Sequence, residues 1–250
     1  FLDDKGELRY GHTTSWGVST RLIGGIIMTH SDEDGLRLPP KIAPKQVVIL
    51  PVIPKPESEA QVLAYAQQVC EALQKVTFNG APLQVFVDKR DIRGGEKSWQ
   101  WIKKGIPLRL EVGPRDMESK SVMLFRRDKS RKEKSSVSLD TLSGVVPSLL
   151  EEIQANYLKQ ARDFQNVNTV TNVTNWEELV RFLTPKSEDK PEIHGGFVCA
   201  KWSEKPGSEA KLQELKATIR CIPLQQSGTS GKCVITGEPA TTDVIIAKAY

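Results

Sequence analysis

The stretch at residues 46–53, QVVILPVI, limits the possible folds more than any other part of the chain. A continuous apolar, β-branched run of that length belongs in a strand buried on both faces. Pro54 and Pro56 follow, and then ESEAQVLAYAQQVCEALQKV, in which Val62, Ala66, Val69, Leu73 and Val76 share one helical face. Its acids lie in the first turn, where they complement the helix dipole. Further strands are predicted at residues 83–88, 108–112 and 121–126, with a short helix at 98–103. The order β-α-β-α-β-β predicts a mixed sheet covered by helices, an α/β module. Cys70, beside the apolar face of the first helix, reads as a small buried hydrophobe rather than a nucleophile.

Beyond this module, Leu149, Leu150, Ile153, Tyr157, Ala161 and Phe164 recur at helical spacing and predict a long helix over residues 146–164. Residues 165–175 read as loop. Thr174 with Glu177 reads as a capping box ahead of Leu179, Val180, Phe182 and Leu183. Residues 186–191 form a charged linker. The segment 195–250, with short apolar runs and one helical stretch near residues 209–215, reads as a small α+β domain.

A length of 250 residues accommodates two or three domains, and 38% hydrophobic with 26% charged residues is ordinary for a globular protein. No apolar run approaches the roughly 20 residues of a membrane span, and Asp3, Asp4, Lys5 and Glu7 stand where a signal peptide would be apolar. The expected location is cytoplasmic. Four scattered cysteines then read as reduced thiols. The net charge of +4 is matched by residues 126–134, RRDKSRKEK, with six basic and two acidic residues. That run is either a patch along a nucleic-acid backbone or a solvated hairpin tip. A glycine-rich phosphate loop and a Walker motif are both absent.

Ahead of Leu38-Pro39-Pro40, which breaks any helix and marks the first boundary, stands GHTTSWGVSTRLIGGIIMTHSDEDGLRLPP. Arg21 lies there between a small-residue turn (Ser15, Trp16, Gly17) and an apolar run, residues 22–28, expected to be buried. A guanidinium anchored beside a buried element suits phosphate or a nucleobase, or else a structural carboxylate. Residues 1–10 read as strand, turn and strand. His30 with Asp32, Glu33 and Asp34 reads as a solvated loop, and no metal is expected there.

The strings SWGVSTRLIG and MTHSDEDGLRLPPKIAP resemble the third signature motif of class II aminoacyl-tRNA synthetases, in the form carried by prolyl-tRNA synthetases. Later segments match that family in the same order, down to AKAY, so the resemblance covers its C-terminal half; motifs 1 and 2 lie upstream. It implies that residues 1–43 end an antiparallel catalytic sheet, entering as a strand and continuing as a helix. Residues 44–165 would be an anticodon-binding domain with its closing helix, and residues 166–250 a C-terminal domain. It implies ATP-dependent activation of L-proline, with Mg2+, and transfer to tRNA(Pro), by a homodimer formed through the upstream catalytic domain. Arg21 would pack on the adenine of ATP and contact its terminal phosphates. Trp16, Gly17 and Ser19 would wall the proline pocket, flanked by Ser15 and His12.

The segment VDKRDIRGGEKSWQWIKKGIPLRLEVGPRD, residues 87–116, resembles the anticodon-binding domain. Trp99 and Trp101 are expected as exposed stacking surfaces, with interleaved cations for phosphates and base edges. Lys97, Arg109, Arg115 and Asp116 fall on positions the family uses near the anticodon. Ile102 stands where the family has a glutamate that reads guanine, and isoleucine accepts no hydrogen bond. The family's four-cysteine zinc site would fall near Ser203 and Ser208 and at Cys233 and Thr236; one thiol cannot hold tetrahedral zinc, so no zinc is expected. Cys199 and Cys221 stand at neighbouring positions, at a spacing that fits no common ligand pattern. The terminal Tyr250 resembles a family tyrosine that tucks towards the active site. These departures also support an alternative, a non-catalytic synthetase-like tRNA-binding or regulatory protein.

Overall fold

Residues 1–185, 196–205 and 207–248 are described by the structure, a computed structural model. They fall into two units, Phe1–Tyr157 and Leu158–Tyr250. The expected linker at 186–191 and Tyr250 lie outside the described residues.

In the first unit the apolar run forms β3 (Val47–Pro51), buried at all five positions, after helix α1 (Arg21–Thr29) and a two-stranded hairpin, β1 (Ser31–Asp32) and β2 (Gly35–Leu36). Helix α2 (Glu59–Gln74) follows, then a small hairpin, β4 (Thr77–Phe78) and β5 (Ala81–Pro82). The module continues with β6 (Val85–Val87), α3 (Gly94–Lys103), β7 (Leu108–Val112), α4 (Pro114–Glu118), β8 (Ser121–Arg126), β9 (Ser135–Ser138) and α5 (Leu139–Val167). The sheet order is β6-β3-β7-β8-β9; β3 is parallel to β6 and β7, while β8 and β9 are antiparallel. It is the mixed, helix-covered sheet predicted from the sequence.

Strand alternation divides this module into two layers. Val47, Ile49, Leu108, Leu110 and Val122 pack with Ala66, Val69 and Leu73 of α2 and with Leu142, Val146, Leu150 and Ile153 of α5. On the other face Val48 and Leu50 meet Trp101 and Ile106. Cys70 is buried in the main core, and burial pushes its thiol up, as a packing residue requires. α5 starts seven residues before the predicted helix and carries Pro147 inside it. The apolar spacing of Leu142 and Val146 on the main core outweighs the one hydrogen bond a proline removes.

Two expectations fail ahead of this module. Residues 11–19 form neither helix nor strand, so the strand implied before α1 is absent. None of the residues of α1 is buried, and Leu22, Ile23, Ile26, Ile27 and Met28 are all exposed. The run has the amphipathic spacing of a packed helix, but no described element covers it. Residues 1–10 retain only a bridge between Leu2 and Leu8 around a turn at Gly6, whose φ is +77°.

The second unit holds a four-stranded sheet of order β10-β11-β15-β12. Its elements are β10 (Thr169–Val170), α6 (Trp176–Leu183), β11 (Phe197–Trp202), α7 (Ser208–Glu214), β12 (Ala217–Cys221), the hairpin β13 (Gly231–Lys232) and β14 (Pro239–Ala240), and β15 (Thr242–Lys248). It is the small α+β arrangement predicted. The cap of α6 is one residue later than expected: Asn175 accepts from the Glu178 amide at 2.9 Å, and Glu178 accepts from the Thr174 amide at 2.9 Å. The asparagine carbonyl reaches the free amide of the first turn better placed than the Thr174 hydroxyl one residue upstream.

Candidate nucleic-acid interface

The polar centre of the first unit is Asp88, which follows β6 at the C-terminal end of the parallel strands. Its carboxylate is fully buried, and it accepts from Arg90 Nε at 2.8 Å, Arg90 Nη2 at 2.7 Å and Trp101 Nε1 at 2.8 Å. The Arg90 guanidinium, together with the Trp101 N–H, holds this carboxyl well below the usual carboxylate range despite its burial. Lys97 Nζ donates to the Asp88 carbonyl at 3.3 Å. One acid thus pins the loop after β6 to helix α3.

That pinning reverses part of the sequence reading of the aromatics. Trp101 is buried, with its indole N–H committed to Asp88, and its ring lies 5.4 Å from Phe86 with Lys104 Nζ 4.5 Å above it. Trp99 is half-buried and carries Lys103 at 5.4 Å and Arg131 at 5.3 Å. Two residues apart on a helix, these rings point about 200° apart, so one turns inward when the other faces out. Cations cover both rings, so neither is the bare stacking surface the sequence suggested.

The four expected anticodon residues lie in separate settings. Lys97, mostly buried, lines a cleft of about 650 Å³ at the ends of β3 and β6, together with Lys55, Lys89, Arg90 and Arg93. Clefts at the carboxyl ends of parallel strands are where open α/β sheets take ligands. Arg109 lies on the face of β7 opposite the main core. Its guanidinium sits 4.3 Å over the Phe125 ring and 3.4 Å from Glu111, and burial lowers its pKa against the pull of Glu111. It borders a small cavity with Ile102, Phe125, Lys129 and Arg131. Asp116 is occupied as a cap, its Oδ2 accepting the Gly113 amide at 2.9 Å at the start of α4, while Arg115 is exposed. The sequence reading missed the Asp88 centre and Phe125; an acid directly after an alternating strand was the available signal for Asp88.

The basic run 126–134 divides into two sets. Arg126 pairs with Asp128 at 2.9 Å and with Glu152 at 2.6 Å, Arg127 with Asp32 at 2.5 Å, and Arg131 with Asp34 at 3.1 Å. Lys129, Lys132 and Lys134 are exposed and enter no ion pair among the described residues. Asp32 and Asp34 of the 30–34 run therefore face arginines.

Arg21 is the first residue of α1 and is exposed, as are His12, Ser15, Trp16, Gly17 and Ser19. Trp16 is 92% exposed, and nothing stands within 4 Å of where a Gly17 side chain would begin. The structure brings these residues into one stretch without assembling them against other described residues.

In the second unit, Cys233 is fully buried. Burial pushes its thiol up, but hydrogen bonds from the Thr236 hydroxyl and from the amides of Thr236, Ser203 and Ile235 outweigh it and leave it below the ordinary thiol value. Ser208 Oγ donates to the Lys205 carbonyl at 2.9 Å and accepts from Trp202 Nε1 at 3.1 Å. Hydroxyl and amide donors thus surround one sulfur where a cation would need four ligands, and this donor set does not fit zinc. Among the described residues, no three His, Cys, Asp or Glu side chains converge as a metal site. Cys199 and Cys221 flank Ile245 from opposite neighbouring strands, two strand spacings apart and away from Cys233.

Residues 46–149 match the family described as "Anticodon binding domain", and residues 187–250 match "Prolyl-tRNA synthetase, C-terminal". The chain is 55% identical over 250 residues to the proline–tRNA ligase of Protochlamydia amoebophila, covering all of this chain and 49% of that protein. It is 47% identical over 255 residues to proline–tRNA ligase 2 of Anaeromyxobacter dehalogenans, covering 50% of it. A crystal structure of prolyl-tRNA synthetase from Cryptosporidium parvum complexed with L-proline and AMP aligns with a TM-score of 0.79 at 32% identity, over all of this chain and 50% of that one. The chain spans about half the length of the curated relatives it matches. Among the described residues, no helix is long and apolar enough to cross a membrane. With both family descriptions in chain order and the likeness running along its whole length, the chain belongs to the prolyl-tRNA synthetase family and corresponds to the C-terminal half of its members.

Proposed function

We propose that this chain supplies the third signature motif and the anticodon-binding part of a proline–tRNA ligase. The enzyme activates L-proline with ATP and Mg2+ to prolyl-adenylate and pyrophosphate, then transfers proline to tRNA(Pro). The 55% identity over all 250 residues to a proline–tRNA ligase carries this reading. The Cryptosporidium relative's complex with L-proline and AMP supports it.

In this reading Arg21 holds the adenine and terminal phosphates of ATP. Attack of the proline carboxylate on the α-phosphate calls for positioning and charge stabilisation rather than a covalent nucleophile, and an arginine at a helix start supplies both. Trp16, Gly17 and Ser19 wall the proline ring, with Ser15 and His12 at its margin. Lys97, Arg109 and Arg115 meet the anticodon, while Asp116 orders the turn that carries Arg115. Domains run 1–43, 44–165 and 166–250. The upstream catalytic domain completes the active site and forms the homodimer, which works in the cytoplasm. The third domain works without zinc, its Cys233 held by hydrogen bonds.

The test uses the full-length protein containing this chain: proline-dependent ATP–pyrophosphate exchange, then charging of tRNA(Pro). Exchange and charging together support the reading. Anticodon-dependent tRNA binding with no exchange would replace it with the non-catalytic alternative. One zinc per chain after dialysis would overturn the zinc-free third domain.

A further inference from the structure

The hairpin of β1 and β2 is built from SDEDGL, whose acids have no part in the proposed chemistry. It is interlocked with the end of α3. A Cβ at Gly35, where φ is +132°, would lie 2.5 Å from Lys103 Cα, and one at Gly105 would lie 2.6 Å from the Leu36 carbonyl carbon. The Leu38 amide donates to the Gly105 carbonyl at 3.2 Å. Two backbones therefore touch with no side chain between them, which only glycine permits at both positions.

Arg127 closes this contact. Its Nη1 donates to Asp32 Oδ2 at 2.7 Å, and its Nη2 to Asp32 Oδ1 at 2.5 Å and to the Gly35 carbonyl at 3.2 Å. Its Nε donates to the Ile102 carbonyl at 3.3 Å, and the side chain is only 7% exposed. One planar, five-donor group thus joins the hairpin to the last turn of α3 in a way that a lysine's point charge cannot. Arg131 adds a bond to Asp34 at 3.1 Å. On its other side the hairpin continues from α1: Ser31 Oγ donates to the Ile27 carbonyl at 2.5 Å, and the Arg37 amide to the His30 carbonyl at 2.7 Å.

We propose that the Asp32–Arg127 clamp is a positioning device: it fixes the helix that carries Arg21 to helix α3, so that a tRNA held on the module presents its acceptor end to the site of Arg21. Neither residue touches substrate. The inference rests on the synthetase reading, and within the basic run it separates Arg127 and Arg131, which hold the hairpin, from the exposed Lys129, Lys132 and Lys134.

The experiment compares Asp32→Asn, Arg127→Gln and the double variant in the full-length protein. Each single variant is expected to lower kcat/KM for tRNA charging about 10-fold while exchange stays within about 2-fold, and the double variant is expected to be no worse than either, as for two residues acting as one unit. If Asp32→Asn leaves charging unchanged while Arg127→Gln lowers it, Arg127 is a direct tRNA contact and the clamp is overturned. Equal loss of exchange and charging would also overturn it, because the pair would then serve the active site itself. Amide hydrogen exchange across residues 31–38 reads the clamp without any assay of function. Faster exchange in both single variants supports it, and unchanged protection overturns it. A wild-type protein with neither exchange nor charging would sink the synthetase reading and leave this last measurement to decide the clamp.

Discussion

Two apolar runs of this chain have opposite fates. VVILP in β3 is buried at every position, with one face on α2 and α5 and the other on Trp101 and Ile106. RLIGGIIMT in α1 has no buried residue. Both carry large aliphatic side chains, so apolar content records what a segment needs, not what covers it. The anticodon-binding module carries its own cover, whereas the described residues supply none for the stretch around Arg21.

The largest effect that would sharpen this contrast is functional. Arg21→Ala in the full-length protein is expected to reduce proline-dependent exchange by about 10²–10³-fold, the usual consequence of deleting one charge-stabilising donor, while leaving tRNA binding within about 2-fold. Unchanged exchange would remove Arg21 from the site.

Packing should follow the same division. Leu110→Ala in the fully buried module core is expected to cost about 3 kcal/mol in denaturant unfolding. Ile26→Ala in exposed α1 should change the unfolding of the 250-residue chain by less than about 0.5 kcal/mol. Equal effects would mean that α1 is covered after all.

A smaller loss is expected for Asp88→Asn, about 2 kcal/mol, because the Arg90 cation loses its ion pair and the asparagine Nδ2 cannot accept where a carboxylate oxygen did. Because the folded pKa of Asp88 is depressed, its contribution is fully present above the unfolded carboxylate value and is lost as pH falls through the folded one. The stability advantage of the wild type over the asparagine variant should therefore shrink as pH falls in acid unfolding curves. Curves that stay parallel at every pH would show that Asp88 is not the hub.

The smallest effect concerns the surface lysines. Lys129→Gln, Lys132→Gln and Lys134→Gln should each weaken tRNA binding modestly and reduce its log–log salt slope by about 1, with folding unchanged. An unaltered slope would leave the run as a solvated hairpin tip.

Much of the module was legible in the sequence because its signals are local. β7 and β8 lie where alternation put them, and α2 follows its apolar face. The hairpin of β4 and β5, the strand β9 and the start of α5 were not legible, since short or polar strands form only when a neighbour offers a ladder to pair with. The candidate site was read less well for the same reason. Helical spacing brings Lys97 and Trp101 one turn apart, but only the buried Asp88 carboxylate decides that Trp101 turns inward and that Lys97 bonds a carbonyl.

By itself the sequence determined the order of elements, the family and the residue types available for phosphate and base recognition, because periodicity and motif spacing are written in the chain. Tertiary structure alone decided which charges are spent within the protein. Arg126, Arg127 and Arg131 look like their neighbours Lys129, Lys132 and Lys134 in the string RRDKSRKEK, yet among the described residues the fold brings Asp32, Asp34, Asp128 and Glu152 to the arginines and no acid to the lysines. Charge is a property of the residue. Whether it is free to meet a partner depends on what lies within about 4 Å, and contacts across 95 positions, such as Arg127 with Asp32, exist only once the chain has folded.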